Sequence, residues 1–250
     1  MLNNKILLTL LSTSILISGC GKDESTSSFS TSSFSTVANQ MTEGYSNVIV
    51  FDDGQSTKQI DSSEYSYTKD GDTKNTHEAI NKKKHVLNKD NDINAIASVY
   101  RLKDGLGKEC VIVHKNSIDI NVLKHEVGHC FTPLRYKNNK FHVKGGTSEY
   151  NEYLNELSAD VVAAALDYQL EKNLKYIDLR IANINSKGDG AVNYKLISPY
   201  LIELKDVLKN MNFEYKTKEE NLTRLMNILS KNNPPMSEAE YYEALRTFKS

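Results

Sequence analysis

Several absences bound this 250-residue chain before any motif is read. Acidic and basic residues nearly cancel, for a formal net charge of −1, and no basic stripe is interleaved with aromatic residues. That excludes an electrostatic footprint for nucleic acid. Apart from the stretch Ile6 to Ile17, no long apolar run occurs. That stretch is too short to span a bilayer as a stable helix, so no transmembrane segment is expected. Cysteine is scarce: three residues allow at most one disulfide, with one thiol left over. Histidine is scarce as well. Of six, none follows His142, so the second half of the chain can supply almost no imidazole chemistry.

The N-terminus reads as a targeting segment. Lys5 gives a weakly positive start, and the apolar run has the length of a signal-peptide core. It ends Leu16-Ile17-Ser18-Gly19-Cys20, which resembles a bacterial lipobox. The resemblance implies a signal peptide over residues 1–19, cleavage before Cys20 and acylation of that residue. Several acyl chains on one cysteine make a durable anchor. An ordinary secretory signal with an incidental Cys20 is the alternative, and both readings export the protein. The localisation expected is lipid-anchored to the cell membrane or the outer membrane of a bacterium; Gly21 carries no retention carboxylate, which favours the outer membrane where there are two. Residues 20–44 are rich in Ser and Thr, with a near-repeat around Phe29 and Phe34. They read as a flexible tether. The remaining 45–250 suffices for one domain, with an α+β part over 45–131 and a mainly helical part over 132–250.

With Cys20 acylated, Cys110 and Cys130 remain as a pair in an oxidising compartment. A disulfide between them would tie a strand to the helix that follows it. Alternatively, Cys130 is a small core residue.

The chemistry-bearing stretch is His125-Glu126-Val127-Gly128-His129. On a helix, His129 sits roughly 40° round from His125 and one turn along, so both imidazoles can reach one metal ion. Glu126 lies roughly 60° further on the same arc, placed for a water rather than for coordination. This is the geometry of the HExxH zinc peptidase helix. Ile120, Leu123, Val127 and Phe131 form an apolar stripe on another face, and Cys110 to Val113 reads as a buried strand leading in. Residues 93–113 are the natural candidates for a hairpin, whose edge strand in zinc peptidases generally takes substrate backbone. The run Asn47 to Phe51 also looks like a strand, and Thr76 to Leu87 like a short helix.

A catalytic zinc site needs a third protein ligand. His142 is the next histidine. The HExxHxxGxxH pattern fails, however, because Thr132 and Arg135 stand where Gly and His are required. A helix from about Ser148 to Glu171 carries Glu149, Glu152, Glu156, Asp160 and Asp167 within an arc of roughly 80°. By periodicity alone that stripe is a solvated face. The segment Asn155-Glu156-Leu157-Ser158-Ala159-Asp160, taken with the upstream HExxH, resembles the gluzincin metallopeptidases, including thermolysin-like enzymes. The resemblance covers residues 125–160. It implies that Glu156 is the third zinc ligand, and that Asp160 hydrogen-bonds the far nitrogen of a zinc histidine and fixes its tautomer. Gly128, Ala159 and Ala163 are small enough to let the two helices approach closely.

The chain departs from the thermolysin pattern in having no downstream histidine to stabilise an oxyanion. His142, Tyr136, Arg135, Tyr194 and Tyr200 are the candidates. Beyond residue 172 the chain reads as helical, with capping boxes at Thr217 to Glu220 and Ser237 to Glu240. The expected fold is α+β: a small mixed sheet packed on a zinc-binding helix, then a mainly helical C-terminal part. The expected function is zinc-dependent hydrolysis of a protein or peptide substrate, with one Zn2+, Glu126 as general base, and membrane attachment through Cys20. The alternatives are a non-catalytic zinc-binding surface lipoprotein and a zinc amidase acting on cell wall.

Overall fold

The computed structural model describes residues 31–42, 47–52, 66–69, 72–75, 85, 87–89, 95–101, 108–115, 118–131, 140–141, 145–186, 192–213 and 217–248. It is α+β. Strands β1 (Asn47–Asp52), β4 (Ala95–Arg101) and β5 (Lys108–His114) form a mixed sheet in the order β1-β5-β4. β1 runs parallel to β5, whereas β4 runs antiparallel to it. A separate antiparallel pair joins β2 (Ser66–Lys69) to β3 (Asp72–Asn75). The expected helix over 76–87 falls almost wholly outside the described residues.

Helix α2 (Ile120–Cys130) follows β5 and packs against β4. Asp119 starts it by accepting a hydrogen bond from the Asn121 backbone N–H at 2.7 Å. Leu123, Val127 and Phe131 are fully buried, as the apolar stripe requires, and Ile120 packs at the edge of the same core. A disulfide joins Cys130, the last residue of α2, to Cys110 in the central strand. The end of the helix is thereby fixed to the sheet.

Helix α3 (Ser148–Glu171) is the long element of the domain. Gly145, at φ 94°, makes the turn before it, and Thr147 caps its first turn. Tyr150, Tyr153, Leu154, Leu157, Val161 and Ala164 are buried along one face. The acidic stripe is only partly solvated: Glu149 and Glu152 are exposed, but Asp160 and Asp167 are buried. Asp167 is paired with Lys124 of α2 at 2.6 Å.

Helices α4 (Lys175–Ser186), α5 (Val192–Lys195), α6 (Ser198–Asn210), α7 (Lys218–Asn232) and α8 (Glu238–Phe248) complete the described part. The periodic stretch from Tyr194 to Leu208 is divided between α5 and α6, with Pro199 in the first turn of α6. Both capping boxes are formed, at Thr217 with Glu220 and at Ser237 with Glu240. The C-terminal helix also closes the start of α3. Glu238 accepts a hydrogen bond from the Thr147 backbone N–H at 2.9 Å, and the Tyr242 hydroxyl lies 2.6 Å from Thr147 Oγ1.

One reading is corrected. Within the supposed tether, residues 31–42 form a helix, α1 (Thr31–Thr42), that belongs to the folded body. Phe34, Ala38 and Met41 recur at i, i+4 and i+7 and are at most 1 % exposed. α1 packs against β1, α2 and α3, and the Phe34 ring meets the His114 ring edge-on at 5.1 Å. Ser and Thr at six of the other nine positions obscured this three-residue stripe. Replacing a buried Phe with Ala typically costs about 3–5 kcal/mol. Phe34→Ala is therefore expected to lower the urea midpoint of the whole domain; an unshifted midpoint would mean that α1 is not part of the core.

Candidate metal centre

The close approach of α2 and α3 assembles the site. A Cβ placed on Gly128 would lie 2.1 Å from the Ala159 carbonyl oxygen, so only glycine permits this crossing. At that separation, Asp160, next to the contact, and Glu156, about one turn before it on α3, are carried up to the imidazoles of α2.

His125 Nε2 lies 3.1 Å from His129 Nε2 and 3.1 Å from Glu156 Oε2. His129 Nε2 lies 3.3 Å from Glu156 Oε1. Ligand atoms about 2.0–2.1 Å from a common tetrahedral centre stand about 3.3 Å apart. Two imidazole nitrogens and one carboxylate thus already have the mutual spacing of a three-ligand set. Glu126 is buried beside them, and the ligand atoms of His125, Glu126 and His129 all lie within 4.8 Å of one another. These side chains can hold a metal ion. Nitrogen and carboxylate donors in this number leave room for a further ligand.

Behind the imidazoles is a fully buried polar network. Asp160 Oδ1 accepts from three directions: His125 Nδ1 at 2.7 Å, Arg180 Nε at 2.8 Å and the Tyr176 hydroxyl at 2.9 Å. The first contact commits His125 Nδ1 to carrying hydrogen and turns Nε2 toward the site. Arg180 comes from α4, and its guanidinium carbon lies 5.6 Å from the ring centre of Tyr194 on α5. Neither Arg180 nor Tyr176 was singled out from sequence. They are 20 and 16 residues beyond Asp160 on a separate helix, and no spacing rule marks them.

The charges respond to this network. Burial is the largest influence on His125 and opposes its ionisation, as does the Arg180 charge; the charge and hydrogen bond of Asp160, together with the hydrogen bond to Glu156, outweigh both and raise the imidazole to about 9. Burial alone would push Asp160 up; the Arg180 and His125 charges hold it down at about 2. Glu156 is likewise held well below the usual carboxylate range, its burial offset by hydrogen bonds from both histidines. Burial, reinforced by the Glu156 charge, lifts the Tyr194 hydroxyl to about 12 and keeps it a proton donor.

The other sequence candidates separate clearly. Tyr200 is committed elsewhere, its hydroxyl donating to the Asn233 carbonyl at 2.7 Å. Tyr194 lies on the Arg180 side of the centre, within the field of Glu156, Glu152 and Asp160. His142, Tyr136, Arg135 and Cys20 fall outside the described residues. No protein-family model, curated protein or solved structure matches this chain.

The raised His125 carries a consequence for metal uptake. With Nδ1 committed to Asp160, its second proton sits on Nε2, where a metal ion must displace it. Competition is present below about pH 9 and vanishes above it. Apparent affinity for an added divalent metal should therefore rise about tenfold per pH unit between pH 6 and 8. Chelator-competition titrations across that range check this, and a flat profile would contradict the proton assignment.

Proposed function

We propose that this chain is a zinc-dependent peptidase of the gluzincin type, exported and anchored to a membrane through an acylated Cys20. The observation that carries the reading is the 3.1–3.3 Å convergence of His125, His129 and Glu156, with Glu126 alongside. His125, His129 and Glu156 would hold the ion. Zinc, when bound, supplies a Lewis acid that polarises a carbonyl oxygen and acidifies water.

The chain's own residues do the rest. Glu126 takes the proton from the attacking water and passes it to the departing amine. Asp160 keeps His125 in one tautomer. Tyr194, whose hydroxyl keeps its proton to about pH 12, donates to the carbonyl oxygen as that oxygen gains charge. This role fits a chain with no histidine beyond residue 142.

The disulfide supports this reading in two ways, against a purely structural zinc site and for export. Such a site needs a fourth protein ligand, and Cys130 is withdrawn from coordination by its bond to Cys110. The same disulfide fits an oxidising compartment, as export requires. Thr31, where α1 starts, is eleven residues after Cys20, so the start of α1 lies at most about 40 Å from the acylated residue. The protein would then work close to the membrane surface on peptide substrates there.

Glu126→Gln is expected to retain zinc and lose cleavage by about 10²–10⁴-fold, measured on a peptide pool with metal content determined in parallel. Undiminished turnover by that variant would rule out the assigned base. Tyr194→Phe should lower kcat by about 10²-fold with KM and zinc affinity little changed. An unchanged kcat would remove Tyr194 from the reaction.

A further inference from the structure

We propose that Arg180 is a positioning residue for the metal centre. It acts through Asp160 to hold the His125 imidazole on target, so that metal affinity depends on a helix carrying no ligand. The proposal rests on the reading of His125, His129 and Glu156 as ligands.

The geometry around Asp160 is lopsided. All three donors converge on Oδ1, while Oδ2 is buried with no hydrogen-bond partner among the described residues. The second oxygen therefore does nothing to fix the carboxylate's rotation, and its orientation hangs on the donors to the first. His125 is the group being positioned, so the fixing falls to Arg180 and Tyr176. Arg180 is the stronger of the two, because a charged donor makes roughly twice the hydrogen bond of a neutral one.

Arg180 is itself well anchored. Its side chain is 9 % exposed, and its guanidinium stands against the Tyr194 ring. It also touches the imidazole directly. Arg180 Nη2 lies 3.4 Å from His125 Nδ1, and since Nδ1 gives its hydrogen to Asp160, both atoms are donors. That contact is steric: the planar fork bounds one side of the ring while its Nε braces the carboxylate. Lysine has the charge but no second arm, so it cannot do both. The bland account is an internal ion pair that contributes only to stability. It predicts equal loss of stability with and without metal, and no change in the site itself.

The test compares the full chain with Arg180→Lys, Arg180→Met and Tyr176→Phe. Zinc affinity is measured by chelator competition, and the His125–Asp160 hydrogen bond is read from the Nδ1–H proton shift and its exchange with solvent in the zinc-loaded protein. Loss of such outer partners typically weakens metal binding 10–100-fold. Arg180→Met should fall in that range and Arg180→Lys near its lower end, both with a faster-exchanging His125 Nδ1–H; Tyr176→Phe should weaken binding less. Zinc affinity within about twofold of the unaltered chain in both arginine variants overturns the proposal. So does an Arg180→Lys protein indistinguishable from the unaltered chain while Arg180→Met is weak, since charge alone would then suffice. Should Arg180→Met fail to fold, Arg180→Lys and Tyr176→Phe decide the matter by the same measures. Absence of zinc binding by the unaltered chain would instead overturn the metal reading, and this proposal with it.

Discussion

The arrangement of the site depends on one backbone contact. Where α2 crosses α3 at Gly128 and Ala159, no room exists for a Cβ on the first residue. Side chains such as Glu156 and Asp160 have short reach, and a methylene's extra separation between the helices would carry them out of range of the imidazoles. The same crossing places Lys124 against Asp167 at 2.6 Å. Close packing, hydrogen bonding and charge pairing thus act across one interface, and Arg180 and Tyr176 of α4 add two further donors to the Asp160 it buries.

Around that contact, the rest of the fold supplies fixation. The disulfide fastens the C-terminal end of α2 to β5, and the apolar stripe of the helix lies in the core beside β4. α1 covers part of the same core, so the segment just beyond the Ser/Thr-rich start contributes to the foundation of the candidate site. On the other flank, α4 brings Arg180 and Tyr176 to the back of the His125 imidazole, and α5 sets the Tyr194 ring against the Arg180 guanidinium. Charge distribution follows from this layout. A buried acid and a buried guanidinium flank His125: the Asp160 carboxylate favours ionisation of both His125 and Arg180, while the Arg180 charge opposes that of His125.

Much of this was legible because it is local. The HExxH spacing, the apolar stripe of α2, the two capping boxes and the strands around Val48, Val99 and Ile112 are short-range patterns with fixed periods. The β2–β3 pair was missed, although Asp70-Gly71 between two short runs is a hairpin signal in sequence. The α1 stripe was hidden by composition, since three apolar residues among Ser and Thr resemble a linker until a core is there to receive them.

The sequence by itself determined which residues share a helix face, because helical period depends on the backbone alone. That sufficed to put His125 and His129 side by side and to set Glu126 next to them. Tertiary structure alone decided which parts of the acidic stripe meet water and which meet the imidazoles, since burial depends on what packs opposite. It also decided that Arg180 and Tyr176 complete the network: their approach to Asp160 is set by how α4 lies across α3, and no interval along the chain encodes that angle.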